Sequence, residues 1–467
     1  MVRDLALVTA MLFYVPMSFR YPAAGALCWA WFSIMNPHRQ VYGFAFGQPF
    51  NSIIAIATLA GWLLSREPKR WTNDAVPWLL LILTGWMTLN TAVSADPSYS
   101  WPFWDRVMRT LALIFLAFFL FTTKARIHAM VWTIVISLGF YGVKGGVFTI
   151  MNGGHAIVYG PPDSVYADNN QLALAIVTDI PLLFYLWRYT KSPLLRWPML
   201  AALALQVLMV FGSYSRGGVI ALGVMLTMLW LRSDRKILYG VLAALMVGAA
   251  INLMPDAFFH RMDTVNNLDG DDSFQGRVNA WHVAFMYASE HFPFGAGFYA
   301  LQREDIFHHY MPDAAMHAAH SIYFQMIGDQ GFGGFALYVL ILLMALRNAG
   351  IVLRQTRGRP ELRWAYDLAD MSRVALIAFC FGGAALSMAY ADEYLLIIAL
   401  MSSLRQLTRP EALTAAAQTR HRSITSERDA VPALATTKKP GEVWQDGGKL
   451  DLPAPGWATG RPDTSLR

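Results

Sequence analysis

Long apolar runs, separated by short clusters of charge, cover most of this sequence. Each run is close to the roughly 20 residues that a helix needs to cross a bilayer, where backbone polar groups must be paired within the segment. The pattern therefore predicts an all-α polytopic membrane protein. The predicted spans are residues 50–65, 75–93, 106–121, 128–148, 171–187, 197–212, 217–231, 237–253, 319–346, 373–390 and 393–405.

Residues 4–35 fit two interpretations. Two apolar stretches flank Arg20 and Pro22, so the segment forms either one kinked span or a short hairpin. We prefer one crossing, which gives about twelve spans with both chain ends on the same side of the membrane.

Lys and Arg fall on every second loop, which places those loops in the cytoplasm by the positive-inside rule. The clusters are Arg66/Lys69/Arg70, Lys124/Arg126, Arg188/Lys191/Arg196, Arg232/Arg235/Lys236 and Arg347/Arg354/Arg357/Arg359. In a bacterium the alternate loops would then face the periplasm. Those loops are 36–49, 94–105, 149–170, 213–216, 254–318 and 391–392.

Four regions follow from this topology. Residues 1–253 form the N-terminal transmembrane helices, 254–318 one large periplasmic loop and 319–406 the C-terminal transmembrane helices. Residues 407–467 are rich in Ala, Thr, Pro and mixed charge, which predicts a disordered cytoplasmic tail.

Composition narrows the class further. The chain is 55% hydrophobic and 15% charged, with a mean hydropathy of +0.37, whereas soluble domains carry about a quarter charged residues. These values exclude a soluble enzyme and a disordered protein. The net charge of +6 reflects cationic loops rather than nucleic-acid binding. Cys28 and Cys380 lie in apolar runs, so neither indicates a disulfide or a metal site.

Polar residues near membrane depth are costly and often functional. Arg216 stands out because the next two residues are glycines, which allow backbones to approach closely. For any one Arg, snorkelling to lipid head groups is the ordinary alternative, and His320 could simply cap a helix. The topology gathers Lys144, Asp168, Asn169, Asn170, Arg216, Arg261, Arg277, His320, Asp392 and Glu393 on the outer face.

The spacing of His320-Ser321 from Gly331-Phe-Gly-Gly334 resembles the His-(Asn/Ser/Gln)-x9-Gly-x-x-Gly signature of bacterial O-antigen ligases and of the wider ligase/polymerase superfamily. The turn at 215–217 and Gly276-Arg277 with Trp281, ahead of 293–297, fit the same family's periplasmic loop. The resemblance covers roughly residues 1–405.

The N-terminal half is similar to one branch of that superfamily. Met35-Asn-Pro-His38 and the stretch 138–146 resemble the exosortase-associated O-glycosylation ligases.

The resemblance implies a metal-independent, inverting glycosyltransferase of the GT-C type that needs no cofactor. Its donor would be a glycan on undecaprenyl pyrophosphate, and its acceptor a sugar hydroxyl of lipid A–core at the periplasmic face of the inner membrane. Relatives with the same donor glycosylate proteins or extend another glycan, so a protein O-glycosylation ligase and a polymerase remain alternatives. A single large loop favours a ligase over a polymerase.

The chemistry of this reaction suggests roles for the candidates. Arg216 and Arg277 would stabilise the departing pyrophosphate, since guanidinium binds phosphate oxygens bidentately. His320 would be the general base, because a neutral imidazole suits that task at pH 7. His317, one helical turn away, could share this role, and Asp392 could orient the base or bind acceptor sugar. The candidate substrate-binding residues are Lys144, Asp168, Asn169, Arg261, His317, Trp281 and Asp392.

A transporter for a lipid-linked glycan is the alternative from another class. It would need charged groups near mid-membrane and two gates, and here only Asp179 is clearly deep. Asp179 is interpreted as hydrogen-bonded within the bundle, with a proton path as the alternative. Outer aromatic residues could offer surfaces for sugar stacking; they are Tyr159, Tyr166, Trp281 and Tyr299.

Overall fold

The computed structural model describes residues 1–69, 71–263, 272–411 and 414, and all regular structure in these ranges is helical. The side chain of Arg261, the residues 264–271 and nearly all of the predicted tail lie outside the described residues. The helices are α1 (Val2–Arg20), α2 (Pro22–Met35), α3 (Phe50–Leu64), α4 (Ala75–Ala92), α5 (Pro97–Leu120), α6 (Lys124–Met151), α7 (Asn169–Tyr189), α8 (Pro193–Gly212), α9 (Arg216–Arg232), α10 (Lys236–Leu253), α11 (Asp256–Asp263), α12 (Asp272–Glu290), α13 (Glu304–Tyr310), α14 (Ile322–Thr356), α15 (Arg363–Gly383) and α16 (Asp392–Leu407).

Seven of the described helices are long and apolar enough to cross a membrane, namely α1, α4, α6, α7, α8, α10 and α14. The prediction of a polytopic, all-helical membrane protein is thereby confirmed. The other predicted spans correspond to helices that are shorter or more polar, such as α3, α9 and α16. Of these helices, α16 lies inside the bundle and buries residues along nearly its whole length.

The first two helices form an antiparallel hairpin, so the preferred single crossing of residues 4–35 is wrong. Pro22 lacks the N–H that would continue α1, and it begins α2 instead. The buried Asp4 carboxylate of α1 accepts hydrogen bonds from the backbone of Gly43 (3.0 Å) and Ala45 (3.1 Å), beyond the end of α2. The start of α1 therefore lies at the same end of the bundle as loop 36–49.

Two ends of the bundle differ in what they carry. At one end, which we name the loop-rich end, segments 36–49, 152–168, 213–215, 293–321 and 384–391 meet one another. Tyr141 of α6 donates a hydrogen bond to the carbonyl of Met35, and Arg39 pairs with Asp163 at 3.2 Å. The opposite end holds ion pairs of the basic clusters, among them Arg126–Glu67 and Arg232–Asp370, and also the pair Arg405–Asp74.

A break in α14 shapes the loop-rich end. Gly331 has φ 69° and ψ −176°, a conformation that only glycine adopts readily. The segment 293–297 inserts at this break: Ala296 N–H donates to the carbonyl of Gly328 (2.8 Å), and Gly297 N–H to that of Asp329 (3.0 Å). The carbonyls that the helix break releases are satisfied by this inserted segment.

Glycines make the insertion possible because the two backbones touch. A Cβ on Gly295 would lie 2.4 Å from the nitrogen of Gly331, and a Cβ on Gly331 would lie 2.3 Å from the carbonyl carbon of Phe294. Trp86 of α4 stacks on Phe294 (5.0 Å between ring centroids) and lies against Gly333. The Gly-x-x-Gly half of the signature is thus a packing requirement of this junction.

We predict that Gly331→Ala lowers the stability of the folded protein by about 3 kcal/mol or more, because it adds both backbone strain and a clash. Thermal unfolding of the purified protein in detergent measures the effect. The control is Gly350→Ala in the same helix, where a Cβ meets no atom within 4 Å. That variant should be neutral or more stable by up to about 1 kcal/mol. Equal unfolding temperatures for the two variants would contradict the prediction.

Candidate functional site

The loop that carries His320 is fixed by α12. The indole N–H of Trp281 donates to the carbonyl of Ala319 at 2.6 Å, and the ring stacks on Phe324 with 4.9 Å between centroids. His320 itself has φ 42°, in the left-handed region, immediately before α14. Trp281 therefore positions the His320 backbone through the preceding residue, and one face of its ring is already covered by Phe324.

Three predicted residues surround His320. Arg277, Asp168 and His317 all interact electrostatically with its imidazole. They come from three distant segments, which are α12, the start of α7 and the loop before α14. The sequence analysis placed them on the outer face one by one, and the structure brings them together.

The pKa of His320 is lowered from its ordinary value of 6.5. Burial is the largest cause, and the positive charge of Arg277 adds to it; Asp168 opposes both by raising the pKa, and His317 lowers it further. A lowered pKa favours the neutral imidazole, which is the form that can accept a proton. An adjacent carboxylate is also in place to stabilise the charged form when it arises.

His317 owes its position to the glycine before Arg277. A Cβ at Gly276 would lie 2.4 Å from Cδ2 of His317, so only glycine leaves room for this ring against α12. Gly276 thus leaves room for the imidazole of His317, and Arg277 places a positive charge beside the imidazole of His320.

The turn before Arg216 is held from α7. Asn169 Nδ2 donates to the carbonyl of Ser213 at 2.7 Å, and its side chain is buried. Ser215 caps α9 by accepting from the N–H of Gly218 at 3.0 Å. Tyr214, at φ 58°, donates its hydroxyl to the carbonyl of Gly154. Arg216 is therefore the first residue of a helix whose preceding turn is held by these three hydrogen bonds.

The first residues of α7 connect the two halves of the site. Asp168 caps α7 with Oδ1, which accepts from the backbone of Asn170 (2.9 Å) and Gln171 (3.4 Å). Asp168 also lies beside His320, and its neighbour Asn169 holds the Arg216 turn. Asn169 is a supporting residue in this geometry, because its amide donates a hydrogen bond to the turn before Arg216.

Asp392 is placed elsewhere than expected. Its carboxylate is buried and accepts a hydrogen bond from Thr110 of α5, and Arg106 is the nearby cation. Asp392 is therefore not among the groups that act on His320, and the carboxylate beside His320 is that of Asp168. The sequence could not distinguish the two carboxylates because the choice depends on which helices pack together.

Tyr166 is also placed elsewhere than expected. It is fully buried and donates to Glu393 at 2.5 Å, so it offers no surface to a sugar. Tyr299 is partly buried against Phe103, whereas Tyr159 is exposed. The Tyr166–Glu393 bond instead ties the loop that leads to Asp168 onto α16.

Three further candidates complete the comparison. Lys144 is exposed on α6, and no residue of the described ranges forms an ion pair with it. Arg261 lies in α11, and its side chain is outside what the structure describes. Asp179 accepts from Gln206 Nε2 at 2.8 Å inside the bundle, as its hydrogen-bonded interpretation predicts.

Asp329 was missed in the sequence analysis. It is buried in α14, two residues before Gly331, and accepts from the N–H of Tyr299 (3.0 Å) and the hydroxyl of Tyr390 (3.1 Å). A carboxylate in an apolar span is a recognisable signal.

Two family models match the chain. Residues 180–339 match the family described as O-antigen ligase, and residues 2–191 match a family of unknown function, DUF5935. No curated protein matches it. The first match contains Arg216, Arg277, His320 and Gly331, so it supports the O-antigen ligase resemblance and a ligase- or polymerase-type role in glycan assembly from lipid-linked glycans. The N-terminal branch stays a prediction.

We predict that Trp281→Phe loosens the His320 loop, because the variant keeps the ring but loses the hydrogen bond to Ala319. Loss of about 1 kcal/mol should speed hydrogen exchange of peptides covering 314–321 by about fivefold. Mass spectrometry of deuterated peptides measures this. Trp78→Phe, at an exposed position of α4, is the control and should leave the same peptides unchanged. Unaltered exchange in the Trp281 variant would show that this bond does not fix the loop.

Proposed function

We propose that this protein is an O-antigen ligase that transfers a glycan from undecaprenyl pyrophosphate to a sugar hydroxyl of lipid A–core, at the periplasmic face of the bacterial inner membrane. The observation that carries the proposal is the grouping of His320 with Arg277 and Asp168 inside the segment that matches the O-antigen ligase family. A neutral base, a fixed cation and a carboxylate are the groups that this transfer requires.

The donor side of the reaction needs positive charge. As the bond between the anomeric carbon and the pyrophosphate oxygen breaks, its electron pair stays on the pyrophosphate. Arg216 and Arg277 would stabilise that charge, because guanidinium stays protonated and binds two phosphate oxygens at once. Preorganised charges away from bulk water lower such a barrier by several kcal/mol. This step needs no metal.

The acceptor side needs a base. The acceptor oxygen attacks the anomeric carbon from the face opposite the pyrophosphate, which inverts the configuration. His320 would take the hydroxyl proton as the new bond forms. Asp168 would then stabilise the imidazolium, as the carboxylate does in other histidine-based sites. Its Oδ1 is held by the α7 backbone, so the group is already oriented.

We predict that His320→Ala lowers the transfer rate by at least about 100-fold, because the general base is lost. The assay supplies purified protein with undecaprenyl-pyrophosphate-linked glycan and lipid A–core, in EDTA and without nucleotide. The matched control is His309→Ala, an exposed histidine of α13, which should transfer normally. Normal transfer by the His320 variant would refute its role.

The same assay tests the acceptor. Product on lipid A–core, lost in the His320 variant, supports the ligase. Product only when a protein or a second lipid-linked glycan is supplied would keep the chemistry and assign the protein to a protein O-glycosylation ligase or a polymerase. Movement of intact lipid-linked glycan across the bilayer, with no bond formed, would favour the transporter.

We predict that charge changes beside His320 shift the pH dependence of transfer in opposite directions. In the wild type, activity should be lost only below the ordinary histidine pKa of 6.5, since burial and Arg277 lower the pKa of His320. Asp168→Asn keeps a good helix cap but removes a charge that raises this pKa, so its acidic limb should move to lower pH. Arg277→Gln should move the limb to higher pH. Profiles of kcat/KM measure both, and shifts in the same direction would contradict the assignment.

A further inference from the structure

A small cavity with polar lining residues adjoins the His320 loop. The cavity lies between α12, the loop at 299–302, the part of α14 before Gly331 and the α15–α16 connection. Its polar lining residues are Tyr299, Gln302, His317, Gln325, Asp329 and Ser387. His317 belongs both to the lining of this cavity and to the group around His320, so the cavity lies next to that group.

Asp329 is the acidic residue of the cavity lining. Each of its carboxylate oxygens accepts one hydrogen bond, from Tyr299 N–H and from the Tyr390 hydroxyl. A carboxylate has about four lone-pair sites, so it keeps capacity for a further donor. Nothing in the cavity lining is Lys or Arg. A ligand group here is therefore favoured if it is neutral and donates hydrogen bonds, and a phosphate is disfavoured.

Ser387 supplies a second hydrogen-bonding group. Its hydroxyl oxygen is buried and has no hydrogen-bond partner within the described ranges. Its carbonyl accepts from Gln171 Nε2 at 3.2 Å, which fixes the residue against the start of α7. A buried hydroxyl in this position is satisfied by a ligand or by a water molecule.

The size of the cavity restricts what enters. Its volume is about 20 Å³, and a single water needs roughly 10–15 Å³. A whole sugar ring does not fit, whereas one hydroxyl does. The hydroxymethyl group of a hexose projects furthest from the ring, so it reaches such a slot while the ring stays outside.

We propose that this cavity is a recognition slot for the acceptor, in which Asp329 and Ser387 bind a single hydroxyl of a neutral hexose, that of its hydroxymethyl group. This inference rests on the proposed function and adds the substrate class: the acceptor sugar carries a free hydroxymethyl group next to the reacting hydroxyl. In this arrangement Arg216 and Arg277 hold the donor, and Asp329 with Ser387 selects the acceptor.

The test measures the direct binding of sugars to the full-length protein in detergent by titration calorimetry. The probes are methyl α-galactopyranoside, the 6-deoxy analogue methyl α-fucopyranoside, and galactose 6-phosphate. We expect the galactoside to bind at least about tenfold more tightly than the other two. The fucoside loses the hydrogen bond to Asp329, and the phosphate brings a negative charge into a cavity lined by no Lys or Arg.

Variants assign the effect to the slot. Asp329→Asn keeps the size of the side chain and should weaken galactoside binding about tenfold while leaving fucoside binding unchanged. Arg277→Gln should leave galactoside binding unchanged and weaken inorganic pyrophosphate, which Asp329→Asn should not. Unfolding temperatures of both variants exclude global damage.

Several results would overturn the slot. Equal binding of galactoside and fucoside, or an unchanged galactoside affinity in Asp329→Asn, would mean that the cavity holds only a buried water. Preferred binding of galactose 6-phosphate would contradict the charge argument. These readouts do not involve glycan transfer. If the ligase assay fails but the protein still discriminates between the sugars, the proposed function is wrong and the slot stands.

Discussion

The contact of Gly295 with Gly331 is the constraint on which the loop-rich end depends. Because two backbones meet there without side chains between them, the segment 293–297 can replace the missing turn of α14. Asn90 of α4 joins the contact, accepting from Gly295 N–H and donating to the carbonyl of Asp329. The junction therefore fixes α4, α14 and the end of α12 together, and α12 in turn carries Arg277 and the anchor of the His320 loop.

Two residues of opposite charge act on the imidazole of His320. Arg277 and Asp168 act on one imidazole from different helices, so its pKa reflects a balance that neither helix sets alone. Asp168 and Asn169 are consecutive, yet one faces the base and the other supports the turn before Arg216. A rigid helix start is well suited to this, because its cap fixes both side chains at once.

Sequence patterns predicted the membrane helices and the individual site residues for physical reasons. Apolar runs of spanning length have few alternatives in a bilayer, and ionisable residues near membrane depth require an explanation. The hairpin at residues 4–35 was misassigned because a single residue, Tyr21, joins its two helices, and the evidence that separates them is a contact of Asp4 with loop 36–49. Asp392 and Asp168 were indistinguishable as partners of His320 for a similar reason, since each choice rests on packing between distant segments.

The break at Gly331 also divides α14 mechanically. The carbonyls of Gly328 and Asp329 accept hydrogen bonds from the inserted segment, and residues 322–330 pack against α12. The helix beyond Gly331 continues to Thr356 beside α4 and α15. A continuous helix would transmit every tilt of its lower half, as the bilayer thickens or thins, to its upper end. The non-helical residue interrupts that lever. The lower part of α14 is held by its packing against α4 and α15, while the geometry around His320 is set by α12 and by the inserted segment.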